Sequence, residues 1–138
     1  MIGLNDAPTI VISAADGVTE QQWQQVLFGI EEEGIPWRWQ QEGNDDIVQR
    51  AWEAAARSLL LVGLACTTEE MVVHYRNLPA SEPLFRLARP QEEQQWRHLG
   101  NNAARLVKGL PFKPLSPRPN GAGLNPMPGT PGKPSTGE

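Results

Sequence analysis

The sequence of 138 residues is poor in cysteine, in long apolar runs and in positive charge. Its single cysteine, Cys66, excludes a disulfide-held scaffold or a thiolate metal cluster and is typical of a reducing compartment. A formal net charge of −4 at pH 7 argues against a nucleic-acid-binding protein, which needs a basic face. The longest apolar run, residues 59–66, is far shorter than the ~20 residues that span a bilayer. No lysine or arginine precedes Arg38, so we expect no signal peptide, no membrane partner and a cytoplasmic protein.

Composition divides the chain into a body and a tail. Residues 111–138 contain 8 of the 13 prolines and 5 of the 13 glycines, with few large apolar side chains. This composition predicts a disordered tail. Residues 1–110 are enough for one compact domain that buries roughly two thirds of its surface.

Hydrophobic patterns in the body predict the element order β-α-β-α-β-β-β-α. The predicted strands cover residues 7–15, 37–41, 59–66, 71–75 and 84–87. The helices are expected after Thr19, after an N-cap within residues 44–46, and over residues 90–110 with a break at Gly100 and Asn101. The link between the third and fourth strands is too short for a helical crossover, so the fourth strand is expected to run antiparallel. We therefore predict a three-layer α/β/α sandwich around a mixed, mostly parallel five-stranded sheet with one antiparallel strand.

The first helix has well-marked ends. Thr19 and Gln22 have the spacing of a capping box, and Val18 and Trp23 occupy the positions of a hydrophobic staple. Gly34 is expected to end the helix, since the following Ile35-Pro36 step cannot continue it.

Nucleotide-binding and catalytic motifs are missing from this sequence. Neither G-x-G-x-x-G nor G-x-x-x-x-G-K-[ST] occurs, so the fold is predicted to be Rossmann-like without a nucleotide site. Cys66 and His74 could form a nucleophile and base, but no acid is positioned to orient them. The other interpretation is that both are buried core residues.

Glu31, Glu32 and Glu33 break a local rule, because three carboxylates lie at the negative end of the first helix dipole. At about 100° per residue, the apolar face centres near Trp23 and Ile30, so Glu32 points away from the core. One interpretation is a solvated charge run. The other is a ligand for a hard cation such as magnesium, or a contact with a basic partner.

Four segments of the body resemble one known family. They are LFGIEEEGIP (27–36), AAARS (54–58), VVHYRNLPA (72–80) and LGNNAARLVKG (99–109). In this order they are similar to the small subunit of the diol/glycerol dehydratase-reactivating factors, over about residues 7–113.

The resemblance implies a non-catalytic subunit of a chaperone with two large and two small chains, whose large subunit carries an ATPase. That complex releases damaged cobalamin from adenosylcobalamin-dependent dehydratases by exchanging subunits with them. In the family, the position of Glu32 contributes to a Mg²⁺ site at the interface with the large subunit, while the small chain alone holds neither cobalamin nor nucleotide. The resemblance also implies a cytoplasmic location, inside or associated with a bacterial microcompartment.

Two alternatives stay open at this point. The chain could be a medium-subunit-like structural component of the dehydratase itself. The resemblance implies that such subunits are longer before the first strand, which here begins within ten residues, so the reactivating factor is favoured. Glu31, Asn101 and Asn102 are candidates for the partner interface, but asparagine after glycine at a helix break is also a typical cap. Arg105 and Lys108, in the last helical turns, are typical of surface charges that complement the helix dipole.

Overall fold

The computed structural model describes residues 7–115 as five strands and three α-helices in the predicted order. Their bounds are β1 Ile10–Ala14, α1 Gln24–Glu32, β2 Trp37–Gln41, α2 Ile47–Arg57, β3 Val62–Cys66, β4 Glu70–Tyr75, β5 Phe85–Ala88 and α3 Glu93–Lys108. Among residues 7–115, no helix is long and apolar enough to cross a membrane.

The chain enters α1 through the predicted capping box. Thr19 Oγ1 accepts a hydrogen bond from the backbone N–H of Gln22 at 3.3 Å, and Gln22 Oε1 accepts one from the N–H of Thr19 at 2.9 Å. A single 3₁₀ turn, Gln21–Trp23, leads into the α-helix. Gly34 follows the helix with φ of 80°, in the left-handed region that glycine enters without strain.

The sheet has the strand order β2-β1-β3-β4-β5. Strands β1, β2 and β3 are parallel, and β4 runs antiparallel to both of its neighbours, β3 and β5. This confirms the prediction of a mixed sheet with one antiparallel strand. The physical reason is the short link after Cys66, which allows β4 only to fold back.

The helices cover both faces of the sheet and give the predicted three layers. Helix α2 packs on β1, β3 and β4. The apolar cluster beneath it is small and contains Ile47, Val48, Ala51, Ala65 and Val72. The larger cluster lies on the other face, where the side chains of α1 and α3 pack against those of the strands.

Helix α3 is continuous, so the predicted break at Gly100 and Asn101 is wrong. Gly100 lies where α3 crosses α1, and a Cβ there would be 2.0 Å from the carbonyl oxygen of Val26. A Cβ on Gly29 of α1 would be 2.2 Å from the carbonyl oxygen of Arg97. Glycine at these two positions therefore permits backbone-to-backbone packing of the helices.

The third strand begins at Val62 rather than at Leu59, which corrects the prediction from the apolar run. Residues 59–61 form a turn in which Ser58 Oγ accepts a hydrogen bond from the N–H of Leu60 at 3.0 Å. Leu61 has a positive φ of 66°, and the side chain of Leu59 is 63% exposed. Hydrophobicity alone could not separate this apolar turn from the strand that follows it.

The chain continues to pack on the domain beyond residue 110. Phe112 stacks edge-on against Phe85 with ring centroids 5.2 Å apart, and Leu115 is buried. Residues 111–115 thus pack on the domain without forming a helix or strand. The rest of the predicted tail, residues 116–138, lies outside the described residues.

Candidate functional site

The last turn of α1 is stabilised by side chains from neighbouring elements. Glu31 Oε2 accepts a hydrogen bond from Trp37 Nε1 at 2.9 Å, and Glu31 itself is exposed. Glu33 accepts hydrogen bonds from Arg105 Nε at 3.0 Å and Lys108 Nζ at 3.1 Å. Lys108 also donates to the backbone carbonyl of Glu33 at 2.9 Å, which places a cation at the negative end of the helix.

These contacts explain how the sequence tolerates acids at this helix end. Partial burial works to raise the pKa of Glu33, but the hydrogen bonds from Arg105 and Lys108 outweigh it, so the pKa lies below its usual value. Arg105 and Lys108 are therefore partners of α1 and complement its dipole, whereas the sequence suggested that they serve the end of their own helix.

Glu32 lies between α1 and α3 and is half-exposed. Its Oε1 accepts a hydrogen bond from Asn101 Nδ2 at 3.0 Å, and its Oε2 accepts one from Arg97 Nη1 at 2.5 Å. The bond from Asn101 is the largest cause that holds the pKa of Glu32 below its usual value, and Arg97 adds to it. The side chain of Glu32 is 47% exposed, so a charged carboxylate faces solvent beside two fixed donors.

Asn101 is fully buried and uses its whole amide group. Besides Glu32, its Nδ2 donates to the backbone carbonyl of Gly29 at 2.7 Å, and its Oδ1 accepts from Lys113 Nζ at 3.0 Å. The amide therefore joins α1, α3 and the segment after α3. The interpretation of Asn101 as a helix cap is wrong, since it lies in mid-helix.

Asn102 is also fully buried and fixes the chain after α3. Its Nδ2 donates to the carbonyl of Lys113 at 2.9 Å, and its Oδ1 accepts from the N–H of Lys113 at 2.6 Å. In this structure Asn101 and Asn102 have no exposed surface to offer a partner. They can act on an interface only through the groups that they position, namely Glu32 and Lys113.

These residues surround an open groove of about 380 Å³ on the α1/α3 side of the domain. We call this the Glu32 groove; its lining residues are Gln25, Glu32, Glu93, Gln94, Arg97, His98, Asn101 and Lys113. The sequence pattern indicates Glu32 but not Arg97 or Lys113. Arg97 lies four residues before Asn101, on the same helix face, which was an available signal. Lys113 follows the helix and gave no such signal.

The usual ligand crevice of an open α/β sheet is filled by side chains. Such crevices lie beyond the carboxyl ends of the parallel strands, here at β1 and β3. Buried Arg50 donates to the carbonyls of Ser13 at 2.8 Å and Cys66 at 3.3 Å, and Trp23 Nε1 donates to the carbonyl of Thr67 at 3.0 Å. Arg50 and Trp23 thus use the carbonyls at the ends of β1 and β3 as partners within the domain.

Cys66 and His74 are not arranged as a catalytic pair. In the β3–β4 ladder Cys66 lies opposite Met71, while His74 lies opposite Gly63. Met71 and Val73 belong to the α1/α3-side core together with Cys66, so His74 projects from the other face of the sheet. Burial raises the pKa of Cys66 to about 12, and both side chains are fully buried. The burial and the opposite orientation of the two side chains support the interpretation of both as core residues.

Residues 7–113 match the sequence model of one protein family, described as the dehydratase medium subunit. The chain belongs to the dehydratase medium-subunit family. A diol dehydratase-reactivating factor small subunit from Klebsiella michiganensis is 52% identical over 121 residues, which cover 88% of this chain and 96% of the relative. A propanediol dehydratase-reactivating factor small subunit from Salmonella typhimurium is 54% identical over 111 residues, or 80% and 95% of the two chains.

Two solved structures share the fold. One is a diol dehydratase-reactivating factor complexed with ADP and Mg²⁺, which is 55% identical with a TM-score of 0.75 and covers 78% of this chain and 99% of the other. The second is a glycerol dehydratase reactivase, 27% identical with a TM-score of 0.74, covering 79% and 99%. They confirm the α/β fold and agree with the resemblance identified from the sequence.

Glu32 fits the role of one Mg²⁺ ligand but not of a whole site. Its two carboxylate oxygens carry about four lone-pair positions, of which Asn101 and Arg97 use two. Within residues 7–115, no three acidic, histidine or cysteine side chains lie close enough to hold an ion by themselves. Mg²⁺ prefers a nearly octahedral shell of oxygens, so the other ligands of an ion at Glu32 come from water or from another molecule.

Proposed function

We propose that the chain is the small, non-catalytic subunit of a reactivating factor for adenosylcobalamin-dependent diol or glycerol dehydratase. The named relatives support this, because the chain covers 95–96% of their lengths at 52–54% identity. Both structural relatives are reactivating factors as well.

The activity that we propose is assembly and exchange rather than chemistry. The chain binds a large ATPase subunit in a complex of two large and two small chains, and nucleotide state controls its release. The dehydratase medium subunit then takes its place, and damaged cobalamin leaves the enzyme. Membership of the dehydratase medium-subunit family supports this exchange, since two chains of one fold can compete for one surface. An exchangeable interface needs a domain that stays folded alone, and the core of this domain is built from its own residues.

The observation that carries the site assignment is the Glu32 carboxylate, which is ionised, half-exposed and fixed in direction by buried Asn101. We propose that Glu32 supplies one oxygen to a Mg²⁺ ion shared with the large subunit. When bound, the ion links the two chains, while Asn101 keeps the Glu32 carboxylate directed towards the groove. Glu31 lies on the same exposed turn and is proposed to border the interface.

Co-purification with the large subunit tests both parts of the proposal. We expect the native chain to form a stable complex in Mg²⁺ and a weaker one after chelation with EDTA, and we expect Glu32→Gln to weaken it in Mg²⁺. Glu53→Gln is the matched control, because Glu53 is an exposed acid of α2 whose side chain bonds to Gln49. Equal binding by both variants would remove Glu32 from the interface.

A second candidate is a structural medium-subunit-like component of the dehydratase itself. The family description favours it, since it names the dehydratase medium subunit. The same experiment separates the two. A firm complex with the other dehydratase chains, and none with the large reactivase subunit, would establish the structural role instead.

A cytoplasmic location, inside or associated with a bacterial microcompartment, follows from the proposed client enzyme. Fractionation of cells grown on propanediol tests it. The chain should sediment with intact microcompartments or remain in the soluble fraction with the large subunit, and recovery with membranes would contradict the proposal.

A further inference from the structure

The two donors that hold Glu32 differ in how easily they can leave. Asn101 is fully buried and is tied to Gly29 and Lys113 by its other hydrogen bonds. Arg97 has a side chain 32% exposed and reaches Glu32 from the surface. A solvent-exposed ion pair contributes little to stability, so exchanging the guanidinium for another cation costs little. The neutral donor is thus fixed, whereas the charged donor is replaceable.

Arg97 also has other anchors beside the ion pair. Its Nε donates to Gln25 Oε1 at 3.0 Å, and its guanidinium carbon lies 5.5 Å from the ring centre of Phe28. Phe28 is 41% exposed, so its ring is accessible to the guanidinium at the surface. The Arg97 side chain can therefore release Glu32 and keep its contacts with Gln25 and Phe28 of α1. A cation–π contact with an exposed ring is favourable.

Charge balance indicates what would replace it. The Glu32 groove contains two acids, Glu32 and Glu93, and two permanent cations, Arg97 and Lys113. When Arg97 turns away, the Glu32 carboxylate loses its ion-pair partner. A cation can then bind at the free lone pairs of Glu32.

We propose that Arg97 is an internal substitute for a divalent cation shared with the partner. In the free subunit it neutralises Glu32, and on docking it gives up this carboxylate to the divalent cation. Arg97 then stays over Phe28 at the edge of the interface. This inference rests on the proposed function, since it requires docking at the Glu32 groove.

A matched pair of variants tests the exchange. Arg97→Gln removes the competing cation, so we expect the dissociation constant for the large subunit to fall about two- to fivefold, the value expected for loss of one surface ion pair. Arg105→Gln is the control, because Arg105 lies on the same helix and pairs with the neighbouring Glu33. It should leave affinity unchanged. Weaker binding by Arg97→Gln, or no change relative to Arg105→Gln, would overturn the proposal.

Titration in Mg²⁺ and in EDTA tests whether the incoming charge is the divalent ion. A gain in affinity for Arg97→Gln that needs Mg²⁺ supports the proposal, whereas a gain that persists unchanged in EDTA would show that a basic side chain of the partner replaces Arg97 and would overturn it. Thermal unfolding of each full-length variant verifies that it is folded.

Mn²⁺ binding to the isolated chain tests the competition at Glu32 independently of the proposed function. In the isolated full-length chain, Mn²⁺ should broaden the NMR signals around Glu32 at a lower concentration in Arg97→Gln than in the native chain. If the native chain forms no complex with the large subunit, the proposed function fails, and the Mn²⁺ titration alone decides whether Arg97 competes for Glu32. Equal broadening in the two chains would refute that competition.

Discussion

Gly100 of α3 lies against the backbone of Val26 in α1, so that a Cβ at position 100 would be 2.0 Å from the Val26 carbonyl oxygen. No side chain fills the crossing point of the two helices. The Glu32 groove lies on the surface of this crossing, and its geometry depends on the contact.

Gly100→Ala is expected to destabilise the domain strongly. The added methyl group meets backbone that cannot move without separating α1 from α3, and such overpacking costs about 1–3 kcal/mol or more. Urea denaturation measures the loss. Gly43→Ala is the control, because a Cβ at position 43 meets nothing within 4 Å, and its change should stay within about 0.5 kcal/mol.

Asn101→Ala is expected to damage both stability and binding. It removes the side-chain donor of the buried Gly29 carbonyl, which costs about 1–3 kcal/mol, and it frees the carboxylate of Glu32 to rotate. The free energy of unfolding and the affinity for the large subunit should both fall. Asn77→Ala, an exposed position that bonds to Tyr75, should change neither; an equal effect there would remove the special role of Asn101.

Acid is expected to weaken the α1–α3 contact in a defined pH window. The folded-state pKa values of Glu32 and Glu33 lie below the ordinary 4.5, so their pairs contribute stability that is fully present above about pH 4.5. This contribution is lost as the pH falls through the lowered values. The unfolding free energy of the native chain should therefore fall more steeply below pH 4.5 than that of Glu32→Gln/Glu33→Gln. Parallel curves for the two proteins would contradict this.

Cys66 is expected to be inert in the folded chain. With its pKa raised to about 12 by burial, only about one thiol in ten thousand is ionised at pH 8. A thiol reagent should react slowly in buffer and quickly in denaturant. In addition, Cys66→Ala should leave association with the large subunit unchanged, and a loss of reactivation without a loss of stability would revive a catalytic interpretation.

Arg50→Met is expected to destabilise the domain by about 2–4 kcal/mol, because it removes the buried hydrogen bonds that Arg50 donates to the carbonyls of Ser13 and Cys66. Arg86→Gln provides the comparison. Arg86 pairs with Glu70 at the surface, and that pair is worth about 0–1 kcal/mol. Equal unfolding free energies for the two variants would show that Arg50 does not hold the strand ends together.

Local sequence signals were sufficient where one segment determines its own structure. The capping box of Thr19, the bounds of β2 and the reversal into β4 all follow from neighbouring residues. They fail where packing against a distant part of the backbone determines the local structure. Gly100 was interpreted as a helix break, because its tertiary partner, Val26, is 74 positions away and leaves no local mark.

The same limit applies to the candidate site. Helical periodicity singled out Glu32 as an acid directed away from the core, and the structure places it in a half-exposed groove. It could not show that Asn101 holds that carboxylate, because a hydrogen bond between residues 69 positions apart depends on how α1 and α3 cross. It also gave no indication of Lys113, which reaches the groove only because Asn102 fixes the chain after α3.

The contact between Gly29 and Gly100 also affects how the groove can respond to a ligand. Because main-chain atoms set the distance between α1 and α3, changes of side-chain rotamer cannot widen the cleft. Binding there is then a rigid-body event with local rotamer changes, of the kind seen in pre-organised complexes. If the proposed exchange of subunits holds, the chain would present the same surface after each release, without refolding or relaxation.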